Sequence, residues 1–315
     1  MSVSQIADSI KAEVGKAIVG QEKVVEQVLV AVLANGHVLL EGVPGVAKTL
    51  LVRSLARSLD LGYGRVQFTP DLMPSDVIGT TIFDAKTNDF VVRKGPIFVN
   101  ILLADEINRT PPKTQSALLE AMEERRVTID GTSHELPPPF LVFATQNPID
   151  FEGTYPLPEA QQDRFVLKVL VDYPEEAAEV DVLRRHHAGF RSQNLESAGI
   201  QPVVSGEQVA QMQAEVAKIV VEDKVFNYIY EIVKATRRAH EIMIGGSPRA
   251  GIALLNCGKA LAALRGRDFV IPDDVKELAL PVLRHRILLR PEAEVEGLTP
   301  DRVLNGLLQS QVVPR

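Results

Sequence analysis

A single cysteine, Cys257, in 315 residues excludes an internal disulfide framework and a zinc site built on thiolates. It falls in an apolar helical pattern, where a thiol serves as a small core side chain. An excess of basic residues is also missing. The net charge is −7, which argues against a nucleic-acid surface spread over the whole chain and leaves only local basic patches open. No apolar run is long enough to span a membrane. The most apolar stretch, Val24 to Leu40, is interrupted by Glu26, Asn35-Gly36 and His37, and it reads as a helix, a turn and a strand. The opening residues, Ser2 to Asp8, lack a basic segment followed by an apolar one, so no signal peptide is expected and the expected compartment is the cytoplasm. The six histidines show no metal-ligand spacing, and His186-His187 on a charged helix read as solvated. No Ser/His/Asp or Cys/His arrangement, internal repeat or low-complexity segment stands out.

What is present is concentrated in Gly42-Val43-Pro44-Gly45-Val46-Ala47-Lys48-Thr49. An apolar strand pattern, His37 to Glu41, precedes it, and a helical pattern opens at Leu50. Strand, glycine-rich turn, Lys-Thr and helix form the context a phosphate-binding loop needs. Glycines let backbone N–H groups curl around an anion, and the helix N-terminus adds unsatisfied N–H groups and a positive dipole end. Lys48 is expected to reach the terminal phosphates, and the Thr49 hydroxyl to bind Mg2+. One position departs from the pattern, since Ala47 stands where glycine usually precedes the lysine. Its methyl fits if Ala47 already has helical dihedrals in the first turn, and that is the expectation.

At 315 residues the chain suits two domains. Residues 1–173 alternate strands and helices. Core strands are expected at 37–41, 64–68, 100–104, 140–145 and 165–171. Two polar-tipped hairpins are expected as insertions outside the core sheet, at about 69–96 and 125–138. Residues 174–315 read as helical to the end, with periodic patterns near 175–188, 206–219, 222–240, 248–264 and 272–289. This organisation predicts an α/β nucleotide-binding core with a parallel sheet flanked by helices, followed by an all-α lid domain.

Asp105-Glu106 closes one apolar strand. An Asp there can hold Mg2+ through water, and the next carboxylate can activate the attacking water. No Asn-Lys-x-Asp guanine-reading motif is present, so ATP is preferred over GTP. Asn147 ends the following strand, where an amide can bond the γ-phosphate and the water. Arg164, just before the last core strand, can stabilise the charge of phosphoryl transfer. Arg249 opens a lid helix in Gly245-Gly-Ser-Pro-Arg249, from which it could reach the bound phosphates. A cation in a first helical turn opposes the dipole, which favours a specific anion. Arg109, beyond Glu106, suits either a subunit-interface or a structural role.

Together these pieces resemble the AAA+ ATPases, and within them the MoxR family. The matching segments are Val19-Gly20-Gln21, Glu41 to Thr49, Leu103 to Arg109, Ala144 to Pro148, Leu157 to Phe165 and Gly246 to Arg249. They cover the chain almost end to end, and Ala47 is familiar in that family. The resemblance implies a Walker A loop contacting nucleotide from Gly42 through Val43, Pro44, Gly45, Val46, Ala47, Lys48 and Thr49 to Leu50, with Val19 and Gly20 beside it. It implies a Walker B pair at Asp105 and Glu106, sensor 1 at Asn147, an arginine finger at Arg164 and sensor 2 at Arg249. Thr49 and Asp105 would hold Mg2+. The hairpins would be the helix-2 insert and the pre-sensor-1 hairpin, facing the pore of a ring, typically a hexamer. ATP would lie between subunits, with Arg164 reaching a neighbour's site.

The resemblance also implies chaperone-like maturation of other proteins, often with a partner bearing a von Willebrand A domain. This chain has no Asp-x-Ser-x-Ser metal motif, so that partner would be a separate chain. Two other readings stay open. One is a nucleic-acid motor of the MCM type, using Lys86, Arg93, Lys94, Arg125 and Arg126 on the hairpins. The other is a nucleotide-gated scaffold that turns over slowly. Neither hairpin carries the aromatic-apolar-Gly loop with which processive unfoldases grip peptide, so limited remodelling is expected and not the threading of whole chains.

Overall fold

A computed structural model describes residues 2–148 and 154–314. Helix α1, Val3–Gly15, starts at a capping box in which the Ser2 hydroxyl accepts from the Gln5 N–H, and it buries Val3, Ala7, Ile10 and Val14 along one stripe. Helix α2, Glu22–Leu33, is buried along most of its length. Asn35, with φ 51°, turns the chain into strand β1, His37–Glu41. The phosphate-loop segment then leads into α3, Lys48–Ser58, and β2, Tyr63–Gln67, follows.

The first insertion consists of α4, Pro74–Ile78, and a hairpin of β3, Gly79–Asp84, and β4, Asp89–Lys94. The chain returns through β5, Ile101–Asp105, which is buried throughout, to α5, Pro112–Glu124. The second hairpin pairs β6, Arg126–Ile129, with β7, Thr132–Glu135. Its turn residues Asp130 and Gly131 both have positive φ, as a two-residue hairpin turn requires. Strand β8, Leu141–Gln146, the short helix α6, Glu159–Gln162, and β9, Phe165–Leu170, complete the core.

The five core strands form one parallel sheet in the order β2-β5-β8-β1-β9. Both hairpins stand apart as separate two-stranded sheets. Because the core is parallel, the carboxyl ends of β1, β2, β5 and β8 emerge along one edge, where ligands of such sheets sit. Glu41, Gln67, Asp105 and Gln146 mark that edge.

The chain continues through α7, Glu176–His187, α8, Gly206–Ala217, and α9, Asp223–Arg238. Strand β10, Ile242–Ile244, then precedes α10, Pro248–Leu264, and α11, Pro272–Leu283. Strand β11, Leu288–Leu289, and helices α12, Pro291–Val295, and α13, Pro300–Ser310, end the chain. The expectation of helices alone is corrected here, because β10 and β11 pair antiparallel. Segments of three and two residues are too short to show a period of two, so the pattern of the flanking helices hides them. The helix expected to reach residue 289 ends at Leu283.

Lid and core share one apolar interior, in which Val28 and Val32 of α2 join Leu254, Cys257 and Leu261 of α10. The other face of the sheet packs a second cluster around Phe68, Leu118, Phe140 and Phe165. Among the described residues no helix is long and apolar enough to cross a membrane.

The first hairpin has the expected polar turn, and along its strands Phe83 and Phe90 pair directly across, edge to face, with ring centroids 5.4 Å apart. They are 54% and 70% exposed, and Ile82, Val91 and Val92 are exposed beside them. A hydropathy scan takes alternating residues in a strand as facing opposite sides, one of them buried. Here neither face is covered, so apolar residues on both sides meet solvent.

Candidate active site

A cleft of about 910 Å3 lies along the sheet edge, a volume suited to a nucleotide. Val19 and the loop from Pro44 to Leu50 form one side, and Asp105, Glu106 and Asn147 close one end. Tyr173, at the end of the core, and Val182, Leu183, His186 and Phe190 beyond it line the other side. Gly20, Gly42 and Val43 adjoin the cleft without lining it. Gln21 ties the N-terminal turn to the lid entrance by donating from Nε2 to the Asp172 carbonyl at 2.7 Å.

The loop is shaped by close approach. A Cβ on Gly42 would lie 2.2 Å from the Val171 carbonyl oxygen, so only glycine passes there. Ala47 departs from expectation. Its φ of 62° and ψ of 22° are left-handed, and it caps α3 instead of occupying the first turn. The loop reverses hand at this residue before the helix begins, which is why glycine is the usual occupant. Alanine in this conformation costs roughly 1–2 kcal/mol. Lys48 folds onto the loop, donating from Nζ to the Gly42 carbonyl and, at 3.2 Å, to the Val43 carbonyl. Burial pushes the Lys48 ammonium below the usual lysine value, while the charges of Asp105, Glu106 and Glu41 pull it back.

The acidic pair is held by groups that sequence reasoning missed. Thr145 Oγ1 donates to Asp105 Oδ1 at 2.6 Å and accepts from the Glu106 N–H at 2.8 Å. Arg65 Nη2 and Nε donate to Asp105 Oδ2 at 2.7 and 3.1 Å. Glu106 is left-handed, with φ 56°, a conformation found where a site fixes its backbone. Its Oε2 accepts from Gln67 Nε2 at 2.8 Å and from Arg109 Nη1 at 2.9 Å. Arg109 therefore orients Glu106 within its own chain. Arg65, Gln67 and Thr145 lie on strands roughly forty residues from the acids in sequence, and only the parallel pairing aligns them. His186 is exposed as expected, but it also lines the cleft.

The residues fit ATP with Mg2+. The cleft offers a glycine-bearing N–H cradle at a helix start, one lysine, and hard oxygen donors in the Thr49 hydroxyl and the Asp105 carboxylate. Among the described residues no group of three or more His, Cys, Asp or Glu could hold a metal alone.

Arg164 and Arg249 are not among the residues that line this cleft. Both arginines instead bind Glu123, Arg164 at 2.9 Å and Arg249 at 2.8 Å.

Parallel sheet, phosphate loop, paired acids at a strand end and a helical lid define a P-loop ATPase of the AAA class. Models for the ATPase family associated with various cellular activities and for the AAA lid domain match residues 37–167 and 234–307. The chain is 48% identical to the uncharacterized protein YeaC of Bacillus subtilis, over 96% of this chain and 92% of that one. It is 44% identical to the Chaperone MoxR1 of Mycobacterium tuberculosis, over 96% and 81%. It is 30% identical to the Protein MoxR of Methylorubrum extorquens, over 94% and 92%. A crystal structure from Cytophaga hutchinsonii superposes with a TM-score of 0.91 at 43% identity, covering 99% of this chain and 96% of that one. The chain belongs to the MoxR family of AAA+ ATPases, and it hydrolyses ATP.

Proposed function

We propose that the chain works as a ring, typically a hexamer, in which ATP binds between subunits and its hydrolysis remodels or matures protein partners in the cytoplasm. The observation that carries this reading is the separation of cations from cleft. Lys48, Thr49, Asp105, Glu106 and Asn147 converge on one site, while Arg164 and Arg249 sit together away from it. A neighbour's pair of arginines would complete the site.

In that site the loop N–H groups and Lys48 would bind the phosphates, and Thr49 with Asp105 would hold Mg2+. The ion supplies charge neutralisation at the phosphates when bound. Glu106 orients the attacking water and accepts its proton, under the control of Gln67 and Arg109. Asn147 positions the water. Arg164 and Arg249 from the next subunit stabilise the charge of transfer, a contribution of about 10³–10⁵ in rate for such a cation.

The uncovered Phe83–Phe90 pair supports contact with apolar segments of protein clients. Strand β4 exposes Val91 and Val92 beside it. The aromatic pair would contact apolar client segments, and a separate von Willebrand A domain protein would deliver them. Arg164→Ala tests the reading directly. It should keep ATP binding and lose turnover, whereas an Arg164→Ala chain that hydrolyses at the normal rate would exclude the shared site.

A further inference from the structure

Arg164 and Arg249 are distant in sequence, yet their guanidinium groups meet on one carboxylate. Glu123, near the end of α5, forms an ion pair through Oε2 with Arg164 Nη2 at 2.9 Å and accepts on Oε1 from Arg249 Nη2 at 2.8 Å. A second carboxylate ties their backbones. Asp163 Oδ1 accepts from Arg286 Nε at 2.7 Å, and Asp163 Oδ2 accepts from the Ser247 hydroxyl at 2.9 Å. Ser247 caps α10, and its Oγ also accepts from the Arg249 N–H at 3.1 Å. Arg286 is buried, with 8% exposure. Its remaining N–H groups donate to the carbonyls of Asp163, Phe165 and Val166, which bracket Arg164, and to Val282 in the lid.

Glu123 is itself fixed to the core. His37 Nδ1 accepts from the Val142 N–H at 3.0 Å, so its Nε2 carries the proton and donates to the Met122 carbonyl at 3.1 Å. Arg125 donates to the carbonyls of Asn35, at 2.8 Å, and Phe140. The end of α5 is thereby pinned to the starts of β1 and β8. Without a carboxylate between them, two adjacent guanidinium groups repel and their long side chains disperse. The ion pairs are partly exposed, and such pairs contribute little stability. Their effect is on where the two cations point.

We propose that Glu123 and Asp163 are positioning residues that bind Arg164 and Arg249 into one cationic unit, presented as a pair to the nucleotide of the neighbouring subunit. Glu123 aligns the guanidinium groups, and Asp163 fixes the two backbones that carry them. The proposal rests on the reading that these arginines serve a neighbour's site.

The test mixes two full-length chains. The donor carries Glu106→Gln, so its own site turns over slowly while its arginines remain. The acceptor carries Arg164→Ala and Arg249→Ala, so its cleft is intact but it offers no cations. Turnover recovered on mixing reports acceptor clefts facing donor arginines. Glu123→Gln placed in the donor should lower the recovered kcat about three- to tenfold, with KM for ATP within about twofold. Glu123→Asp in the donor should restore part of it. The recovered rate should follow the donor's residue at 123 and ignore the acceptor's, which a general folding defect would not do. Equal effects from both placements, or no effect from the donor, would overturn the positioning role. Failure of the parent mixture to recover turnover would overturn the shared site, and the proposal with it. Asp163→Asn in the donor is a second arm, read in the same way where that chain folds.

Discussion

The Thr145 hydroxyl donates a 2.6 Å hydrogen bond to Asp105 Oδ1. Through its lone pairs it also receives the Glu106 N–H, so one buried side chain sets the carboxylate proposed for the metal and the backbone of the proposed base. Thr145→Val keeps the shape and removes both bonds. It leaves buried polar groups unsatisfied, at about 1–3 kcal/mol. Urea unfolding should show that loss, and kcat should fall at least about tenfold because Glu106 is no longer held. Thr145→Ser should recover most of both. A valine variant with unchanged turnover would remove Thr145 from the site.

Ala47 offers a test of opposite sign. Glycine relieves the left-handed strain, roughly 1–2 kcal/mol, while adding freedom to the unfolded chain at about 0.5–1 kcal/mol. Ala47→Gly should therefore stabilise the protein by a few tenths to about 1 kcal/mol, seen as a higher unfolding midpoint. A clear loss of stability would contradict the assigned backbone conformation.

Acid should destabilise the fold through two histidines. Burial lowers the His37 pKa from 6.5 to about 3, and burial also carries His285 well below its ordinary value, with Arg286 adding to the effect. Both are neutral when folded, whereas the unfolded chain protonates them near pH 6.5. Their contribution is fully present above that pH and is lost as pH falls toward the folded values. Each removes at most about 1.4 kcal/mol per pH unit below 6.5. Unfolding free energy measured at pH 7 and pH 5 should fall accordingly. A flat profile would show that these rings are not buried neutral.

The Phe83–Phe90 pair should serve contact with clients and not the chemistry. The double variant Phe83→Ser, Phe90→Ser should weaken binding of a permanently unfolded, fluorescently labelled model protein at least about fivefold, the loss expected for two exposed aromatic contacts of 0.5–1.5 kcal/mol each. Undiminished binding would move the client surface elsewhere.

Much of this was legible in the sequence because it is local. Gly42 to Thr49 are contiguous, Asp105-Glu106 end an unmistakably buried strand, and the hairpins announce their turns. Ala47 was misjudged because its dihedrals depend on the whole loop closing, which one residue's identity does not reveal. Thr145, Gln67 and Arg65 acquire meaning only once parallel strands set Gln67 beside Asp105 and Ala104 beside Ala144. Glu123 was invisible for the same reason, since its partners lie about 40 and 126 residues away. Strands β10 and β11 were missed because they are shorter than any period.

The central claim is that each ATP site is completed by a neighbour. ATP hydrolysis per chain measured against protein concentration tests it most directly, with mass determined at each dilution. The account predicts that specific activity rises as rings assemble and that dissociated chains bind ATP but barely turn it over. Full specific activity in a solution shown to contain only single chains would contradict it.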